Sequence, residues 1–437
     1  MAVIGTGIAG MSAAWLLNQR HSVTVYEKND RIGGHSNTVD AITPAGKTPV
    51  DTGFIVYNER NYPNLTALFK FLDVPTKDSE MSFSASLDNG GFEYAGTDVN
   101  GLFGQRTNIV RPRFWRMISN LMRFYKSAPV FLNDPESDEV SLGDYLRQEK
   151  YNDGFLKDHL LPIGAAIWST TPAEMMNYPA KAFIRFFESH GLLLIRNRPQ
   201  WRTVDGGSRE YVKRLTDPFK GNIRFGGVQS VRRTEGHVRV EESCGDVGIF
   251  DHVVIATHAD EALSLLADPV QEEKNLLGVW RYSKNRAVLH TDPYLMPKRK
   301  QVWSSWNFIE GGKRDEDRNL CVTYWMNRLQ SLDPGHPLFL TLNPNREPAT
   351  SKTLREFEYT HPVFDTAALK SQQHLWSLQG KQRTWYCGSY FGYGFHEDAL
   401  QAGLAIAEQL GGLKRPWQVE NESGRIQVTS EPRVIAP

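Results

Sequence analysis

Three glycines near the start of the chain are spaced for phosphate chemistry. In the run AVIGTGIAG, Gly5, Gly7 and Gly10 form G-x-G-x-x-G. Gly5 permits a tight turn, and Gly7, followed by Ile8 and Ala9, lets the backbone approach a pyrophosphate. Gly10 lets a helix and a strand pack closely. Glu27 stands twenty residues after Gly7, where a carboxylate can accept hydrogen bonds from ribose hydroxyls, and Lys28 follows it. His290 and His396 are the candidate bases by residue type. Trp303, Trp306, Tyr324 and Trp325 offer aromatic walls for a cavity, or ordinary core filling. His290, His396 and Cys387 lack ligand spacing, so no catalytic metal is expected.

These groups need elements to hold them. Ala2 to Ile4 is a short β run, the glycines make the turn, and MSAAWLLNQR makes a helix. Val23, Val25 and Tyr26 mark a second strand ending at Glu27. Strand, turn, helix and strand place the helix N-terminus, with its unpaired N–H groups, beside a phosphate. Farther on, Ile223 to Val240 alternates as strands and Val253 to Thr257 reads as a buried strand. A strand, a glycine-aromatic loop and a helix ending at Gly411 and Gly412 follow near the C-terminus. The expected class is α/β.

Directly after Glu27 come Arg31, Gly33, Gly34, His35, Ser36 and Thr38, and then Asp51 and Gly53 followed by Phe54. This R-x-G-G-H-x-x-T with D-x-G resembles the flavin-containing amine oxidase and phytoene desaturase superfamily. The resemblance implies FAD as cofactor, held in a Rossmann-like, GR2-type discontinuous domain with an interleaved α+β substrate domain. The FAD part would comprise 1–75, 200–260 and 375–412, and the substrate part 76–199 and 261–374. The stretch 413–437 looks like a loosely held tail.

By the same resemblance, Val228, Ala256, Gly388, Ser389, Phe395, His396 and Glu397 would join the cofactor site. The helix after Phe395 would aim its N-terminus at the isoalloxazine ring, stabilising negative charge there. Ser389 and Tyr390 stand where superfamily members often carry an acid. Glu397 and Asp398 also fit plain helix capping. Phe395 matches an aromatic-cage tyrosine of amine oxidases without its hydroxyl, which suits a hydrocarbon better than an amine. Lys298 and Lys300 are the nearest candidates for the superfamily's flavin-proximal lysine.

Four segments, 198–208, 285–297, 303–307 and 387–398, resemble a narrower subfamily. It is similar to the N-terminal domain of plant cyclopropane-fatty-acid synthases and to a flavoprotein that desaturates methyl-branched fatty acyl chains. The resemblance implies hydride abstraction from a fatty acyl lipid by FAD, with Phe395, Trp303, Trp306 and Tyr324 walling the pocket. Two alternatives stay open: an amine oxidase acting on a small amine, and a non-catalytic flavin-binding partner of a lipid methyltransferase.

With 50 Lys and Arg against 50 Asp and Glu, the formal charge is zero, which argues against a general nucleic-acid binder. Three scattered cysteines and no apolar run of spanning length point to the cytoplasm. Met1 to Leu17 resembles a signal peptide in hydrophobicity, but it lacks a basic start and carries the spaced glycines. The charge is unevenly spread. From Val99 to Asn133 there is no acid, yet Arg106, Arg111, Arg113, Arg116, Arg123 and Lys126 are present. On a helix after Pro112, Phe114, Trp115, Met117, Ile118, Leu121, Met122, Phe124 and Tyr125 share one side, and Arg113, Arg116, Arg123 and Lys126 the other. Residues 111–126 therefore suit either peripheral contact with the inner membrane face or an ordinary helix with solvated arginines.

Overall fold

The computed structural model describes residues 1–44, 46–134, 140–168, 170–310 and 320–428. Its centre is a five-stranded parallel sheet in the order Ile223–Phe225, Thr24–Glu27, Ala2–Ile4, Val253–Ile255, Thr384–Tyr386. The three inner strands are almost wholly buried and apolar, as a parallel sheet covered on both faces requires. Helix Ile8–Leu17 covers it together with helix His396–Gly411. These two helices meet at backbone distance because Gly403 has no Cβ; one built there would strike the Ala9 carbonyl oxygen.

The alternating run from Ile223 divides. Ile223–Phe225 joins the parallel sheet, whereas Val228–Arg233 and Val238–Glu242 form an antiparallel meander with Val247–Phe250. A seven-stranded sheet makes the second body, in the order 353–363, 281–290, 339–342, 322–325, 306–309, 83–87, 92–95. It is antiparallel except where Trp306–Ile309 runs alongside Phe83–Leu87. Trp201–Val204 pairs on one side with Tyr57–Asn58 and on the other with Thr76–Ser79, all antiparallel, in a small sheet of their own.

Helix Pro112–Phe131 splits its apolar side in three. Phe114, Met117, Phe124 and Ala128 are buried. Ile118, Leu121, Met122 and Tyr125 line a cavity, and Trp115 and Met122 stay 49% and 46% exposed. Arg113, placed by the helical projection on the solvent side, is instead drawn inward onto Asp158 at 2.6 Å and onto Asp88.

The segment after Gly412 is not loosely held as far as residue 428. Arg415 is buried against Glu408 at 2.7 Å and donates to Asn64 Oδ1 at 2.8 Å. Arg425 faces the buried Asp398 at 3.4 Å, and Trp417 stacks on Trp15. Buried charges need such partners, and these partners tie the segment down. Residues 429–437 of that expected tail lie outside the described ones. Among the described residues no helix is long and apolar enough to cross a membrane.

Candidate functional site

A cavity of about 1680 Å³ runs from the glycine turn into the second body. At its first end are Gly5, Gly7, Ile8, Ala9, Glu27, Lys28 and Arg31. Gly5 has φ +104°, and a Cβ there would lie 2.6 Å from the Ala256 carbonyl oxygen, so the turn needs glycine. A Cβ on Gly7 would meet nothing within 4 Å; it would project into open space. No side chain caps helix Ile8–Leu17 and no acid lies in its first turn. Its first N–H groups are thereby left for an anion. Glu27 is held by the N–H and hydroxyl of Thr6 and by Asn29 N at 2.9 Å. This set fits a dinucleotide: N–H groups and open space for the pyrophosphate, a fixed carboxylate for the ribose.

Gly34, His35, Gly53, Phe54, Val228, Ala256, Gly388, Ser389, Phe395 and His396 also line the cavity. His35 Nε2 is buried without a partner, and burial followed by the neighbouring His361 holds its pKa well below the ordinary histidine value. A neutral donor or acceptor of this kind fits a cofactor's polar edge. His396 stacks on Phe54 and its Nε2 lies 2.7 Å from Tyr211 OH and 3.3 Å from Ser36 Oγ. Burial lowers its pKa to about 3, so its ring is neutral and fixed.

Four expected cofactor contacts lie off the wall. Gly10 is packed beneath Gly5, where a Cβ would strike the Gly5 carbonyl. Gly33 closes the turn through N–H to Thr6 O at 3.1 Å. Ser36 serves Tyr211 and His396. Glu397 is fully buried and accepts from Asn64 N, Leu65 N and Gln401 Nε2, each at 3.0 Å. Helix Pro63–Phe71 has no side-chain cap of its own; Glu397 supplies the missing acceptor from across the chain.

His290, expected as a base, is also off the wall. Its Nε2 meets Thr341 Oγ1 at 2.7 Å and its Nδ1 accepts from Asp292 N at 3.0 Å, so both nitrogens are used structurally. Trp306 and Tyr324 pair across neighbouring strands and line the cavity. Trp303 does not; it packs edge-on to Trp325 and Phe339. Strand alternation sends Tyr324 and Trp325 to opposite faces, and Trp303, ahead of strand Trp306–Ile309, packs on the Trp325 side. Lys298 and Lys300 are absent from the wall, whose lysines are Lys28, bonded to Glu261, and Lys284, 3.8 Å from Glu358.

Beyond Phe395 the cavity is walled by Tyr62, Tyr94, Trp168, Phe186, Trp306 and Tyr324. Phe395 stacks on Phe186 at 4.8 Å, and Phe186 on His190 at 3.8 Å. His190 and His159 are functional candidates that no motif announces. His190 Nδ1 lies 2.9 Å from the Phe186 carbonyl, which can only accept, so Nδ1 carries the proton and Nε2 a lone pair. Tyr94 OH donates to Asp158 O at 2.7 Å, so His159 Nδ1, 2.9 Å away, donates to it; its Nε2 is likewise a lone pair. A π-helical turn, Leu156–Leu160, sets His159 on the wall. Burial lowers His159 to about 4 and His190 to about 3. Of the wall's carboxylates, Glu27 ends a strand of the nucleotide sheet, and Asp30, Asp260 and Glu261 follow its strands. Asp98 caps a helix at the surface, and Glu358 faces Lys284.

The family described as flavin containing amine oxidoreductase matches residues 8–379. A Mycobacterium tuberculosis protein, AofH, named as a candidate flavin-containing monoamine oxidase, is 24% identical over 316 residues. That match covers 70% of this chain and 62% of the relative. Cyclohexylamine oxidase from Brevibacterium oxydans shares the fold with a TM-score of 0.67 at 17% identity, covering 94% of this chain and 98% of that one. A fatty acid isomerase from P. acnes that produces CLA does so at 0.65 and 13%, covering 92% and 96%.

Proposed function

The chain belongs to the flavin-containing amine oxidoreductase family, and from that premise we propose that it is an FAD-dependent oxidoreductase that desaturates a fatty acyl chain. The substrate would be a methyl-branched or cyclopropane-related lipid. One observation carries the reading: past Phe395 the cavity is walled mainly by aromatic and aliphatic groups and two neutral imidazoles, and the charged wall groups on that side, Asp98, Arg196 and Arg198, lie at the exposed surface. An acyl chain loses nothing on entering such walls and gains about 25 cal/mol for each Å² buried. An ammonium would enter without a charged partner, which is costly. The resemblance of 198–208, 285–297, 303–307 and 387–398 to lipid-modifying flavoproteins supports the same substrate class, as does the fatty acid isomerase among proteins of this fold.

Bound FAD supplies a two-electron acceptor for a hydride. The protein's own share is to hold and to exclude. Gly5, Gly7 and the Ile8–Leu17 N-terminus would hold the pyrophosphate, Glu27 the ribose, and Phe54 with His396 one flank of the site. Phe395 and Phe186 align the chain and keep water out. A carbon losing hydride makes the adjacent C–H strongly acidic, so even a weak neutral base suffices. The acyl chain would lose a hydride to the flavin and a proton to His190 on the cavity wall, giving one C=C bond.

The test is anaerobic titration of the yellow holoprotein with methyl-branched, cyclopropane and plain unsaturated phospholipids. Bleaching of the flavin by the branched or cyclopropane lipid is expected. A flavin left oxidised by all three, but reduced by small amines with peroxide release in air, replaces this reading with the amine one.

A further inference from the structure

Where wall residues Met122, Ile195, Arg196 and Arg198 are exposed, the cavity meets an apolar, basic face. Met122 and Tyr125 of helix Pro112–Phe131 line the cavity there on one side, and Ile195, Arg196 and Arg198 on the other. Arg198 lies close enough to Tyr125 and His159 to act on both electrostatically, so the two segments form one rim. Ile195 is 62% exposed and Val99, also on the wall, 72%. The apolar surface runs on from there. Leu102 on the wall leads to Phe103, whose ring meets the half-exposed Trp115 at 6.0 Å. Trp115 in turn donates from Nε1 to Ile109 O at 2.8 Å, next to Val110, which is 81% exposed.

The charge on this face is almost all of one sign. Residues 99–133 hold no acid, and neither do 189–204. Arg106, Lys126 and Arg196 are exposed, and Asp98 adds a single negative charge at the edge. Exposed aromatic and aliphatic groups set among arginines match the two layers of a lipid interface, acyl boundary and headgroup. A substrate that leaves a bilayer through a mouth seated on it never crosses water.

We infer that this face docks on an anionic bilayer and that the substrate enters the cavity directly from it. The inference rests on the acyl substrate proposed above, but its test reads binding and not oxidation. The FAD-loaded protein is sedimented with vesicles of straight-chain phosphatidylcholine, alone or mixed with phosphatidylglycerol in equal parts. Each basic residue near an anionic surface is a factor of about five in partitioning. The expected result is partitioning at least about tenfold stronger to the anionic vesicles. The double variant Lys126→Glu/Arg196→Glu should lose at least about tenfold, and Trp115→Ser should weaken binding to both. Salt of about 0.5 M should abolish the anionic preference of the unaltered protein. Equal or absent binding to the two vesicles overturns the inference. So does a dimer in sedimentation velocity that the double variant dissociates while vesicles go unbound, which would assign the face to a second copy. Neither result bears on whether dissolved lipid bleaches the flavin.

Discussion

His396 lies flat on Phe54, with ring centroids 3.9 Å apart and planes 10° from parallel. The stack joins the loop after Asp51 to the first residue of helix His396–Gly411 and sets His396 Nε2 on Tyr211 OH. Stacked aromatic pairs are worth about 0.5–1.5 kcal/mol beyond burial. Phe54→Ala should therefore release flavin up to about tenfold more readily, read as flavin fluorescence appearing on dilution of the holoprotein. Unchanged retention would remove this pair from the cofactor site.

Gly7 and Gly10 belong to one motif but should fail differently. A Cβ on Gly7 meets nothing of the protein, whereas one on Gly10 strikes the Gly5 carbonyl. Gly7→Ala should leave the apoprotein's melting temperature within about a degree, a change below roughly 0.5 kcal/mol, while cutting flavin content. Gly10→Ala should lower the melting temperature itself, by overpacking worth about 1–3 kcal/mol. Thermal melts of the apoproteins beside their flavin absorbance separate the two.

Acid should unfold this protein through its histidines. Burial lowers His159, His290 and His361 to about 4 and His190 and His396 to about 3. In the unfolded chain they protonate near about 6.5. Between those values the unfolded state binds more protons, so stability is complete above about pH 6.5 and is lost as pH falls towards 4. Asp51 acts in the opposite sense. Burial, partly offset by hydrogen bonds from Thr38 and Ser208, lifts it to about 6, so its ionisation costs stability as pH rises from about 4 to 6. Burial raises Glu397 and Asp398 in the same sense as Asp51, but it also lowers His35, His252 and His258. The imidazoles are the more numerous, each worth about 1.4 kcal/mol per unit, and they prevail. The melting temperature should fall steadily from pH 7 to about pH 5. His290→Gln, outside the cavity, should flatten part of that slope.

Glu397 should prove structural. Glu397→Ala strips the acceptor from Asn64 N and Leu65 N and should cost about 2–4 kcal/mol in denaturant titration. Glu397→Gln keeps one acceptor oxygen and should lose roughly half as much. An alanine variant as stable as the parent would refute the capping role.

Much of the nucleotide half was legible because its chemistry is local. Gly5, Gly7 and Glu27 act within one strand, turn, helix and strand, and backbone N–H groups need no distant partner to bind a phosphate. Phe54 and Gly388 were legible only through resemblance to a family, and His396 as a base candidate by type alone. Helix Pro112–Phe131 was half legible. Its amphipathic pattern is in the sequence, but core, cavity and solvent divide that one apolar side among them.

By itself, then, the sequence determined the strand-turn-helix that fits a dinucleotide and the α/β class, because hydrophobic period and glycine spacing act over short stretches. Tertiary structure alone decided which histidines face the cavity. His290 and His190 are both lone histidines in sequence. Thr341 and Asp292 occupy the first on both nitrogens, while the Phe186 carbonyl takes one nitrogen of the second and leaves the other bare. The same holds for Glu397, turned from cofactor candidate into a helix cap by Asn64 and Leu65. A polar side chain's role is set by what it meets when buried, and those partners arrive from anywhere in the chain.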